Sequence, residues 1–179
     1  MTHAITRALR LAALVISAFA VGTAGASDQQ SFNTIERGRY IATAADCAAC
    51  HTRPGGKPFA GGVALQTPFG TLVGPNITPD HGAGIGSLTD DEFVSALRDG
   101  IGRGSIHLYP AMPYPFYTKM TRGDALAIRA YLQTIDPAPD KIKSNQLPFP
   151  FNIRSTMIVW NAINFTPGRL APDPSNSAQ

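Results

Sequence analysis

The run Cys47-Ala48-Ala49-Cys50-His51 constrains this chain more than any other feature, because it holds both of its cysteines. A disulfide between them would close only a tiny loop and do little to staple a fold. The pair therefore serves chemistry, and three chemistries use this spacing. A thioredoxin-like redox pair wants a βαβ context, and none is legible around it. A zinc site wants two more Cys or His ligands at matching spacing, which His81 and His107 do not provide. Covalent haem attachment remains. Two thiols three positions apart on a helical turn add to the two vinyl groups of one haem, with small residues such as Ala48 and Ala49 between them. The next residue then turns an imidazole toward the iron. The expectation is one covalent haem c held by Cys47, Cys50 and His51.

An iron held by His51 has a second axial position, whose occupant separates an electron carrier from a catalytic or gas-binding haem. Four side chains are candidates: Met112, Met120, His107 and His81. Met112 lies in Tyr109-Pro110-Ala111-Met112-Pro113-Tyr114, where two prolines restrict the backbone and hold a thioether in place without secondary structure. Met120 reads as the approach to a helix and the histidines as loop or surface residues, so the metal ligands expected are His51 and Met112. Such an iron has no open position and suits one-electron transfer rather than catalysis, the expectation being a carrier and not an enzyme. The alternative is a haem enzyme or gas sensor with an open or displaceable sixth ligand. A ligating imidazole gives its other N–H to an acceptor. The Gly74-Pro75-Asn76 turn offers the Pro75 carbonyl for this, with Pro58 as a rival.

Residues 1–26 read as an export signal: Arg7 and Arg10 form a basic start, Leu11 to Val21 is apolar, and Ala24-Gly25-Ala26 is a small-residue cleavage site. The apolar stretch falls short of the roughly 20 residues that cross a bilayer. Setting it aside removes two of the 15 Lys and Arg and none of the 12 Asp and Glu, leaving 13 − 12 = +1. No block of like charge or basic-aromatic interleaving remains to suggest nucleic acid. The location expected is the periplasm.

Helical signals surround the motif. Thr34 to Ala45 leads into it, with Ile35, Gly38 and Ile41 spaced along one face. Thr89 and Glu92 form a capping box ahead of a helix over about 90–99 that stops at Gly100. A third helix starts at Thr121 and ends before Asp136-Pro137, and Gly38 would let it cross the first closely, with Tyr131 or Leu132 packing there. Pro54 to Gly86 is dense in glycine and proline and reads as loops with one small hairpin near Phe69 to Val73. The domains expected are a signal peptide over 1–26, a monohaem domain over 27–136, and a Pro-rich extension over 137–179. The extension carries a short apolar helix near Ile153 to Phe165, which either packs on the haem domain or docks to a partner or membrane. Residues 171–179 read as a disordered end.

These segments together resemble the first haem module of the cytochrome c subunits of membrane-bound periplasmic alcohol, sorbitol, aldehyde and gluconate dehydrogenases. The resemblance rests on Arg37-Gly38-Arg39-Tyr40, Cys47–Thr52, Gly55–Gly62, Thr67–Asp80, Leu108–Tyr114 and Leu147–Arg154. It implies a class I c-type cytochrome: a mainly α, helical haem domain with long loops, whose axial ligands fall on His51 and Met112. Those subunits typically carry three haem motifs and this chain has one. It is in this similar to single-module relatives that accept electrons from a dehydrogenase. The partners implied are a periplasmic dehydrogenase as donor and another cytochrome or an oxidase as acceptor, with peripheral membrane association through the tail or a partner.

Overall fold

The computed structural model describes residues 24–168, with side chains from residue 31 onward. Most of the export segment and the whole of 171–179 lie outside the described residues. The chain divides after Thr34, and the unit beginning at Ile35 carries the core and the site described below.

Helix α1 (Ala24–Ala44) starts earlier than the periodicity suggests. The polar run after Ala26 contains no proline or glycine before Gly38, so nothing in it stops a helix. Asp46 takes a left-handed conformation (φ 51°, ψ 39°), which breaks the helix and turns the chain into α2 (Cys47–His51). Beyond it the loop segment contains the expected hairpin, β1 (Ala64–Thr67) against β2 (Gly70–Val73), antiparallel with Leu65 opposite Leu72.

Helix α3 (Asp90–Asp99) has its capping box, since Thr89 and Glu92 bond reciprocally, and ends at left-handed Gly100. A two-residue ladder then follows that carried no sequence signal: β3 (Ile101–Gly102) pairs with β4 (Ile106–His107) across a tight turn. Helix α4 (Tyr114–Tyr117) is a single turn, and α5 (Arg122–Leu132) is capped by Thr121, which accepts from the Asp124 amide at 3.0 Å.

Phe93, Val94 and Leu97 of α3, Ala125, Ile128 and Leu132 of α5, and Ala42 of α1 form the core, joined by Phe59 and Ile85 from the loops. Burying a side chain such as Ile128 or Leu132 contributes about 1.5–3 kcal/mol. Gly38 is where α1 and α5 meet backbone to backbone: a Cβ there would collide with the Ala127 carbonyl. Tyr131 stands edge-on to Phe59 at 6.0 Å.

After α5 the chain does not leave the surface of this unit. Gln146 exchanges both backbone hydrogen bonds with Thr71, extending the hairpin by one bridge, and Asn145 accepts from the Val73 amide at 2.9 Å. Helix α6 (Thr156–Asn164) packs one side on Tyr114 through Asn161, whose Oδ1 accepts from the tyrosine hydroxyl at 2.6 Å, and through the edge of Trp160. Its other side leaves Ile158, Val159 and Ile163 exposed. No helix among the described residues is long and apolar enough to cross a membrane.

Candidate functional site

A cavity of about 1060 Å³ opens between α2, the hairpin, α3, α5 and the segment after α5. It lies at the top of the roughly 300–1,000 Å³ range of small-molecule sites, so it suits a large group. Most of its wall is apolar, from Leu72, Ile77, Ile85, Phe93, Leu97, Ile128 and Leu132.

Cys47, Cys50 and His51 all line this cavity. The thiols are free, half-buried, and one turn apart on α2, which puts them on one face. Burial, then the charge of neighbouring Asp46 and Cys50, pushes the Cys47 thiol up to about 11. That is opposite to an activated redox thiol, whose pKa is lowered. Nor do three or more His, Cys, Asp or Glu side chains converge into a metal-holding group among the described residues. The Cys47 thiol is thus not activated, and no metal-holding group is found among the described residues.

His51 is buried, and its Nδ1 lies 2.7 Å from the Pro75 carbonyl oxygen. A carbonyl only accepts, so Nδ1 carries the proton and Nε2 keeps its lone pair for a metal. Burial holds the imidazole below its usual pKa, with the Pro75 bond acting in the other direction. The neutral ring is the ligating form. Pro75 rather than Pro58 provides the acceptor, and its loop is closely held. The Gly61 amide donates to the His51 carbonyl at 2.7 Å, and Gly74 sits so tightly that a Cβ would collide with the Cys50 carbonyl.

The residue after Pro75 anchors the same loop from the far side. Asn76 is buried, donates through Nδ2 to the Ala138 carbonyl at 2.7 Å, and accepts through Oδ1 from both the amide and the hydroxyl of Thr78. The Thr78 hydroxyl oxygen in turn accepts from the Ala138 amide at 3.1 Å. Both buried side chains of this network have partners, which is the condition for it to rigidify rather than weaken a core.

Of the four candidates for the second axial position, Met112 alone lines the cavity. Its turn is closed by hydrogen bonds from the Met112 amide to the Tyr109 carbonyl and from the Tyr114 amide to the Met112 carbonyl. Met120 packs against the hydrophobic core, as Met112 also does, but does not line the cavity. His107 belongs to β4, with its ring near the Asn161 amide, and His81 is exposed. Two thiols, an imidazole with its Nε2 free and a thioether on one large apolar cavity make a donor set that fits haem c.

Sequence reasoning missed several lining residues. Lys141 to Asn145, Leu147, Asn152 and Arg154 come from the segment read as an extension, and Arg103 and Tyr117 also face the cavity. Residues 138–154 have no regular periodicity, so their role is invisible to pattern reading. The family-like stretch Leu147–Arg154 is the one available hint.

Residues 35–136 match the cytochrome c family. The chain is 48% identical over 145 residues to a subunit of the nicotinate dehydrogenase of Pseudomonas putida, covering 81% of this chain and 12% of that protein. It is 40% identical over 151 residues to the gluconate 2-dehydrogenase cytochrome c subunit of Pantoea cypripedii, covering 84% of this chain and 34% of that one. It is 37% identical over 161 residues to the cytochrome c subunit of the quinone alcohol dehydrogenase of Gluconobacter oxydans, covering 88% and 34%. The chain thus spans about a third or less of each of these proteins and matches each over most of its own length.

Proposed function

This chain belongs to the cytochrome c family, and from that premise we propose that it is a periplasmic monohaem electron carrier. It would take single electrons from a dehydrogenase and pass them to another cytochrome or an oxidase. The observation that carries the reading is the joint presence of Cys47, Cys50, His51 and Met112 on one apolar cavity, with His51 fixed in the metal-binding tautomer by Pro75. Haem c supplies one-electron chemistry at its iron. The chain's residues would do the rest: Cys47 and Cys50 would tether the group, His51 and Met112 would hold its iron, and the apolar wall would exclude water. A thioether ligand raises the reduction potential relative to a second histidine.

Support for the donor comes from the relatives, whose names are those of dehydrogenase subunits. Support for export comes from Arg7, Arg10 and the apolar run that follows them. One attachment motif among 179 residues is the ground for a single haem.

The test is the spectrum of protein matured in a periplasm, reduced and oxidised, for the wild type and Met112→Ala. The expected result is covalent haem in both and a near-infrared methionine-to-iron band that the substitution removes. A wild type without that band, binding carbon monoxide readily at neutral pH, would overturn the carrier in favour of a haem enzyme or gas sensor.

A further inference from the structure

Met112 sits on a loop, and a ligand on a loop keeps its place only if its turn is fastened to something rigid. The backbone fastens it along the chain. Beyond the two bonds that close the turn itself, the Tyr117 amide donates to the Pro113 carbonyl at 3.1 Å and the Met120 amide to the Tyr117 carbonyl at 3.0 Å. The run from Tyr109 to Met120 is therefore one hydrogen-bonded piece. One of its side chains ties it to a distant part of the chain: the Tyr117 hydroxyl donates to the Ala45 carbonyl at 2.8 Å, 72 positions away in sequence.

Ala45 lies between the end of α1 and left-handed Asp46, just ahead of Cys47. The last carbonyls of a helix have no amide ahead of them to accept from. A side-chain donor here satisfies one of them and fixes the place where the chain turns into α2. The acceptor is itself on rigid backbone, since the Ala45 amide donates to the Ile41 carbonyl at 2.8 Å in the last turn of α1. Tyr117 lines the cavity and packs on the same core cluster as Cys47 and Met112. Burial, then the charges of Cys47, Cys50 and Asp46, pushes its phenol up to about 12, so the hydroxyl remains a donor at neutral pH.

We propose that Tyr117 is a positioning residue that keeps the sixth position of the iron closed, by pinning the Met112 turn to the backbone that leads into Cys47 and His51. The inference rests on the haem reading above. An outside ligand reaches the iron only after the Met112 sulfur has left it, and the Met112 turn then has to move away from α2. With the pin in place that movement also breaks the Tyr117–Ala45 bond. Without the hydroxyl there is no such bond to break, and the sixth position opens more readily. Tyr117 thus acts through the Met112 turn and not on the iron.

The experiment is an imidazole titration of the ferric holoprotein, followed at the Soret band, for the wild type, Tyr117→Phe and Thr121→Ala. Phenylalanine keeps the ring and removes only the hydroxyl. Thr121→Ala removes the α5 cap, a loss of stability on a similar scale at a residue that does not line the cavity. Expected is imidazole binding about fivefold tighter in Tyr117→Phe, the worth of one net hydrogen bond, with the near-infrared methionine band still present before imidazole is added. Thr121→Ala should bind imidazole as the wild type does. Unchanged affinity in Tyr117→Phe would overturn the pin and leave the carrier reading standing. An equal gain in Thr121→Ala would overturn it too, because general loosening would then account for the effect. A wild type that lacks the methionine band would overturn the carrier reading together with the pin.

Discussion

The Tyr117 hydroxyl donates to the Ala45 carbonyl oxygen at 2.8 Å, tying the turn that follows Met112 to the end of α1 just before Cys47. The two walls of the cavity that carry the proposed ligands are therefore linked through one side chain. Tyr117→Phe removes the hydroxyl and leaves the Ala45 carbonyl without this donor. The expected cost is about 1 kcal/mol, rising toward 3 kcal/mol if water does not replace the bond. Denaturant unfolding of the holoprotein measures it.

Gly38→Ala should destabilise although alanine ordinarily favours a helix interior by about 0.8–1.0 kcal/mol. The added methyl meets the Ala127 carbonyl and the α5 backbone, which no rotamer change can move aside. Overpacking of this kind costs about 1–3 kcal/mol. A rise in the thermal midpoint of the variant would show that α1 and α5 do not cross as described.

Asn76→Ala should cost more than either. It leaves the Ala138 carbonyl and the Thr78 amide without their partners in a buried site, at about 1–3 kcal/mol each. Because Asn76 adjoins the Pro75 carbonyl that orients His51, the Soret band and potential of the holoprotein should shift along with stability. An unchanged spectrum with lowered stability would separate the two roles.

The capping box gives the acid limb of the stability curve a defined contributor. The Glu92 carboxyl lies below its usual pKa because it accepts from the Thr89 amide and hydroxyl, with the Arg103 charge adding to this. A depressed folded pKa stabilises above the unfolded value of about 4.3 and loses that effect as pH falls through the folded one. Glu92→Gln should therefore flatten the dependence of stability on pH below about 4.5, the range in which an unperturbed carboxyl takes up its proton. Urea titrations at stepped pH read this directly.

Where a sequence signal had a local cause, it was legible. The Thr89–Glu92 box, the Gly100 stop and the Thr121 cap are short-range chemistry, and α3 and α5 start where those residues stand. The need for close approach at Gly38 was also readable, whereas the Pro75 acceptor was legible only as one of two, because Pro58 lies nearer to the motif and the choice is made by the fold. The β3–β4 ladder was not, because two-residue strands have no period. Nor was the contribution of Lys141 to Asn145: these residues are placed by the Gln146–Thr71 bridge and the Asn76–Ala138 bond, contacts far apart in sequence. The start of α1 is hidden for a different reason, because the polar residues after Ala26 look like linker yet contain nothing that stops a helix.

The Gln146–Thr71 bridge gives the chain a boundary of its own. The family match stops at residue 136, yet a fragment cut there would lose the acceptor for the Asn76 side-chain amide, the donor and acceptor opposite Thr71, and the partner of the Val73 amide. An engineer moving this module into another protein would have to carry residues up to at least Asn161, whose carboxamide closes on Tyr114. The portable unit is longer than the region that sequence comparison recognises, and its final segment works as a clasp on what precedes it.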